Sequence, residues 1–134
     1  MKGFKTNIEK ATLDNNDFRR VLYTARHSQL VLMSLEPNEE IGMETHPDND
    51  QFFRFESGKG KCFIDGNQYD IEDGDAIIIP AGAMHNIINS SSTLPLKMYT
   101  IYSPAHHQDG IIRPTKAAAE APGNEEDFDG KTTE

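Results

Sequence analysis

The stretch from Asn38 to Gly60 reads NEEIGMETHPDNDQFFRFESGKG. It sets Glu44 and His46 two residues apart, and in an extended strand such residues project from one face, so a carboxylate and an imidazole aim at one point. Pro47, Asp48, Asn49 and Asp50 are turn formers, after which Gln51 brings an amide oxygen from the neighbouring strand. By alternation Phe53 and Phe55 share the inward face of Gln51, while Phe52 and Arg54 point outward. An outward phenylalanine asks for a covering layer or a second subunit. A separate stretch, GDAIIIPAGAMHNIIN from Gly74 to Asn89, supplies His85. With Glu44, His46 and Gln51 it completes a ligand set of two nitrogens and two oxygens.

The two stretches resemble the paired motifs of the cupin superfamily. The first motif of that family is a glycine, five residues, His-x-His, three or four residues, a glutamate, six residues and a glycine. Here Asn38 stands at the first glycine, Glu44 replaces the first histidine, His46 is the second, Gln51 replaces the glutamate, and Gly58 closes the motif. The second motif matches without departure through Gly74, Pro80, Gly82, His85 and Asn89. The flanking runs QLVLMSLEP and LPLKMYTIYSP extend the likeness to the small single-domain cupins described as mannose-6-phosphate isomerase-like. This resemblance implies an antiparallel jelly-roll barrel with one divalent metal held by Glu44, His46, Gln51 and His85. Its donors match in type the zinc set of phosphomannose isomerases, with glutamate and glutamine exchanged in order.

Local patterning points to the same fold class. Short β-type runs (RRVLYTA, QLVLMSL, KCFIDGNQYDI, MHNIINS and PLKMYTIYS) are separated by turn signals, the strongest being Asp65-Gly66 as a tight hairpin. Nine or ten strands without a long helix predict an all-β sandwich or barrel. Ile77, Ile78 and Ile79 in succession predict a strand covered on both faces. The expected organisation is an N-terminal arm over 1–17, extended or irregular, a barrel over 18–104, and a C-terminal loop and acidic, flexible tail over 105–134. A short helical turn is expected at Thr115 to Glu120.

A chain of 134 residues forms one domain. The net charge of −9 argues against nucleic acid, which needs clustered Lys and Arg. No apolar run approaches a bilayer span, and MKGFKTNIEK has no signal-peptide core. With Cys62 as the single cysteine there is no internal disulfide, and a cytoplasmic homodimer is expected.

Glu44, His46 and His85 alone would suit non-haem iron, and with Gln51 the site leaves zinc, iron, manganese and nickel open. One carboxylate on a divalent ion leaves about one positive charge, which selects an anionic small molecule. Proton transfer would fall to His106 and His107, with Tyr102 or Tyr99 on opposite faces of the last long strand; the alternative leaves both histidines on a mobile surface loop. Arg113 and Lys116 are candidates for holding a phosphate, or are simply solvated. Glu125 to Asp127 read as a solvated face, Asn89 as structural and Cys62 as packed. The expected function is a small metalloenzyme acting on a hydroxylated or carboxylated small molecule, sugar or sugar-phosphate isomerase-like. The alternatives are a sugar-binding module without catalysis, a non-haem iron dioxygenase, a manganese decarboxylase, or a scaffold barrel without metal.

Overall fold

The computed structural model describes residues 1–134. Nine strands follow a short helix: α1 Ile8–Asp14, β1 Arg19–Thr24, β2 Gln29–Leu35, β3 Asp50–Ser57, β4 Lys59–Ile64, β5 Asn67–Glu72, β6 Ala76–Ile79, β7 His85–Asn89, β8 Leu96–Ser103 and β9 Ile112–Arg113, before α2 Lys116–Glu120. They form a six-stranded antiparallel sheet in the order β6-β3-β8-β2-β1-β9 and a three-stranded sheet in the order β5-β4-β7. The inner faces enclose one core that includes Val31, Met33, Phe53, Phe55, Ile87, Leu96 and Met98. This is the jelly-roll sandwich that the strand pattern predicts.

Local chemistry explains the joints. Asp65 and Gly66 both take positive φ, 45° and 82°, the backbone of a tight two-residue hairpin. Asn38 also sits at positive φ, 63°, so the position where the family motif has glycine does need a left-handed residue, which asparagine tolerates. Gly60 lies within β4 rather than in a turn: a Cβ there would stand 2.3 Å from the Ile88 carbonyl oxygen, so the glycine allows β4 to close on β7. Asn89 fastens the end of β7, its amide donating to the carbonyls of Leu35, Glu36 and Leu94. Cys62 is buried, and burial pushes its thiol up to about 11.

Three local expectations need correction. The run Ile77 to Ile79 is not covered on both faces, since β6 is an edge strand paired only with β3, and Ile78 is 69% exposed. Apolar neighbours in sequence cannot tell whether the outer face of a sheet carries a covering layer; here Ile79 is buried on the inner face and Ile78 is open on the outer one. Within the N-terminal arm, Ile8–Asp14 is helical because Asn7 caps it, its side chain accepting from Lys10 N. The helix is further tied down by Lys97, whose ammonium reaches the Asn15 carbonyl and Asn16 Oδ1. Glu44 and His46 lie on an irregular segment rather than a regular strand. Glu40 and Glu44 bridge to Ile88 and His85 of β7, and between them Gly42 takes φ 107°.

The C-terminal segment runs back along the barrel. Thr115 caps α2 through its hydroxyl, and Gln108 and Phe128 donate to the carbonyls of Glu126 and His106. Thr133 pairs with Thr24 on β1.

Candidate metal centre

Backbone pairing brings the ligands together. Glu44 and His85 exchange both hydrogen bonds, each N–H donating to the other's carbonyl at 2.9 Å, so the two side chains leave the ladder side by side. The backbone carbonyl of His46, two residues on, accepts from Gly82 N at 2.9 Å, which ties the His46 loop to the Pro80-x-Gly82 turn. Gln51 opens β3 opposite Tyr102 of β8 and Ile79 of β6.

Glu44 Oε1 lies 3.2 Å from His46 Nε2 and 3.5 Å from His85 Nε2. The ligand atoms of Glu44, His46 and His85 all fall within 4.8 Å of one another. Both ring nitrogens are buried and neither makes a hydrogen bond; the Oε1 of Gln51 shares that condition. His85 Nδ1 stands 2.9 Å from the Ala83 carbonyl, to which it must donate. In the neutral ring Nε2 is then a bare lone pair turned toward the cluster, the arrangement a second-shell carbonyl gives a metal-binding histidine. Donor atoms about 3 to 3.5 Å apart suit metal–ligand bonds of about 2.1 Å. A cation would satisfy these atoms together, so the residues fit a divalent metal.

The electrostatics agree. Burial would raise the Glu44 carboxyl, but His46 and His85 outweigh it and hold Glu44 well below the usual carboxylate range. Burial likewise opposes protonation of His85, but Glu44 and the Ala83 carbonyl move it above its ordinary value. Two imidazoles crowd one carboxylate here, and a cation placed between them would meet all three.

The structure brings the proton-transfer candidates to this centre. The ring of His106 is 4.1 Å from that of His46 and 5.2 Å from that of Tyr102, centroid to centroid. Burial, with His107 and His46 nearby, lowers the His106 pKa to about 4, so this ring is neutral near pH 7. His107 is buried rather than on the surface, and burial lowers its pKa as well. Tyr102 faces inward and burial pushes its hydroxyl up; Tyr99 is on the opposite face, beside Phe52. Arg113 and Lys116 each have a carboxylate of their own, Glu126 at 2.9 Å and Glu120 at 3.9 Å.

Glu126 was hidden in the sequence, inside an acidic run that reads as solvated. It is buried, and its carboxylate takes Arg19 at 2.6 Å, Arg113 at 2.9 Å and His107 Nδ1 at 3.0 Å. Burial would raise this carboxyl, but His107 and Arg19 hold it down at about 2. No local spacing marks the group, because Arg19 lies at the other end of the chain and Arg113 and His107 are beyond the reach of any short motif.

The model of the Cupin_2 family, described as a cupin domain, matches residues 31–102. An uncharacterized Bacillus subtilis protein, YrkC, is 45% identical over 126 residues, covering 90% of this chain and 67% of that protein. A crystal structure from Bacillus halodurans superposes with a TM-score of 0.86 at 43% identity, over 88% of this chain and 93% of that one. A Thermotoga maritima protein described as a predicted oxalate decarboxylase has a TM-score of 0.56 at 15% identity, over 70% and 96% of the two chains, which shows a shared fold alone.

Proposed function

The chain belongs to the cupin family, and we propose that it is a small metalloenzyme whose Glu44, His46, His85 and Gln51 hold one divalent metal that binds a short hydroxylated or carboxylated anion. The observation that carries this reading is the pair of buried, unpartnered imidazole nitrogens around the Glu44 carboxylate, with a third unpartnered atom, Gln51 Oε1, on β3. One carboxylate against a divalent ion leaves about one positive charge. At about 4 Å and an effective dielectric of about 20 that attracts an anion by about 4 kcal/mol before desolvation is subtracted. The metal, when bound, would polarise a carbonyl or acidify a hydroxyl of that anion.

The protein's own residues supply the rest. His106 is neutral beside His46 and can accept a proton from a bound ligand. Gln51, Tyr102 and Phe53 wall the interior and exclude water. A sugar phosphate is the less favoured ligand, since neither Arg113 nor Lys116 is free of a carboxylate. The open outer row Ile78, Phe52, Ile101 and Leu30, aligned across β6, β3, β8 and β2, supports a symmetric dimer through that face.

The test is proton exchange of short hydroxy and keto acids in heavy water, followed by NMR with the metal-loaded protein. Exchange that disappears in His106→Gln while the acid still binds supports catalysis. Binding with no exchange in the unmodified protein would leave a ligand-binding module instead.

A further inference from the structure

Two buried polar groups lie between the C-terminal segment and the metal centre, and hydrogen-bond polarity links them. A carboxylate only accepts, so His107 Nδ1, 3.0 Å from Glu126 Oε1, carries a proton. Its ring is buried and neutral, so Nε2 is a lone pair and the Tyr102 hydroxyl at 3.3 Å donates to it. The Tyr102 oxygen is left with lone pairs, and the amide of its cross-strand partner Gln51 is on the same face of the sheet. That amide also donates from Nε2 to Thr100 Oγ1 at 3.0 Å. With its N–H side engaged, Gln51 is left with a buried Oε1 that has no partner.

We infer that Glu126 is a positioning residue for the metal centre: through His107 and Tyr102 it fixes which atom of the Gln51 amide is offered as a ligand. The inference rests on the metal reading above. Without the Glu126 carboxylate, His107 can carry its proton on Nε2 instead and donate to the Tyr102 oxygen. The tyrosine hydrogen is then released toward Gln51, where it pairs with Oε1 and turns the amide nitrogen toward the cluster. An amide nitrogen is no ligand. The C-terminal segment thereby controls a ligand on β3 without touching it, and the four-ligand set is complete only while that segment is docked.

Zinc titration of the full chain by calorimetry tests this, using Glu126→Gln and Tyr102→Phe, each with Gln51 and with Gln51→Glu. Tyr102→Phe cuts the link without disturbing the ion pairs of Glu126. With Gln51 in place, each change should weaken zinc binding by about tenfold or more, the usual effect of losing an outer-shell partner. In the Gln51→Glu background neither should matter, because a carboxylate presents oxygen whichever way it turns. Equal losses in both backgrounds, or no loss in either, would overturn the relay. If the unmodified chain takes up none of zinc, iron, manganese or nickel, the metal reading fails and the relay is read from nitrogen-15 spectra of the metal-free chain. The relay then requires His107 protonated on Nδ1, and Gln51 side-chain resonances that move in Glu126→Gln; unmoved Gln51 resonances overturn it.

Discussion

The molecule buries two polar clusters close together, and they differ in one respect. Around Glu126 the polar groups are paired: its carboxylate meets Arg19, Arg113 and His107, and only Arg19 Nε is left without a partner. Around Glu44 two imidazole nitrogens and the Gln51 oxygen have none. Burying an unpartnered polar atom costs free energy. A cluster that is paired holds the fold together, whereas a cluster left open is built for something that arrives later. The difference separates structure from site more sharply than charge or burial alone, since both clusters are buried and both contain histidine and glutamate.

The contrast breaks most visibly at the open cluster. His46→Ala or His85→Ala should abolish metal retention while circular dichroism stays that of the folded barrel, because neither ring bonds the scaffold through the atom that faces the cluster. At the closed cluster the outcome reverses. Glu126→Ala leaves two guanidinium groups without their carboxylate and should cost about 3–5 kcal/mol in urea unfolding, the usual range for breaking a buried pair.

Acid probes the closed cluster. The Glu126 carboxyl is held at about 2 against an ordinary value of 4.5, so the unfolded chain takes up that proton first. Its contribution to stability is complete above about pH 4.5 and is lost as the pH falls toward 2. Unfolding free energy measured across that window should fall with pH, and less steeply in Glu126→Gln; equal slopes would remove Glu126 from the account. The smallest effect sharpens the open cluster. Gln51→Glu adds a charge and restores the ligand type of the family motif, and should tighten metal binding by about tenfold, or about 1.4 kcal/mol. Unchanged affinity would put Gln51 outside the ligand set.

The sequence made the open cluster legible and the closed one invisible, for a physical reason. The candidate ligands come from short stretches with fixed spacing, so Glu44, His46 and His85, and the proposed Gln51, can be read locally. Even Asn38 is intelligible as a left-handed residue in a glycine position. Glu126 finds Arg19 across most of the chain, and no local pattern marks one glutamate in EED as buried. Whether a layer covers the outer face of a sheet is equally non-local, which is why the isoleucine run of β6 reads as covered on both faces and is not. His106 and His107 look like loop residues in sequence, yet Asn49 folds their loop inward by donating to the carbonyls of Pro104 and Ala105.

The most direct measurement is the metal content of the untagged protein, purified without chelators or added metal and counted in moles of each transition metal per chain. Near one equivalent of zinc, iron, manganese or nickel, lost in a folded His85→Ala variant, is the result expected of a cluster that holds a divalent cation. No metal in the purified chain, and none taken up after soaking with each of the four, would contradict it.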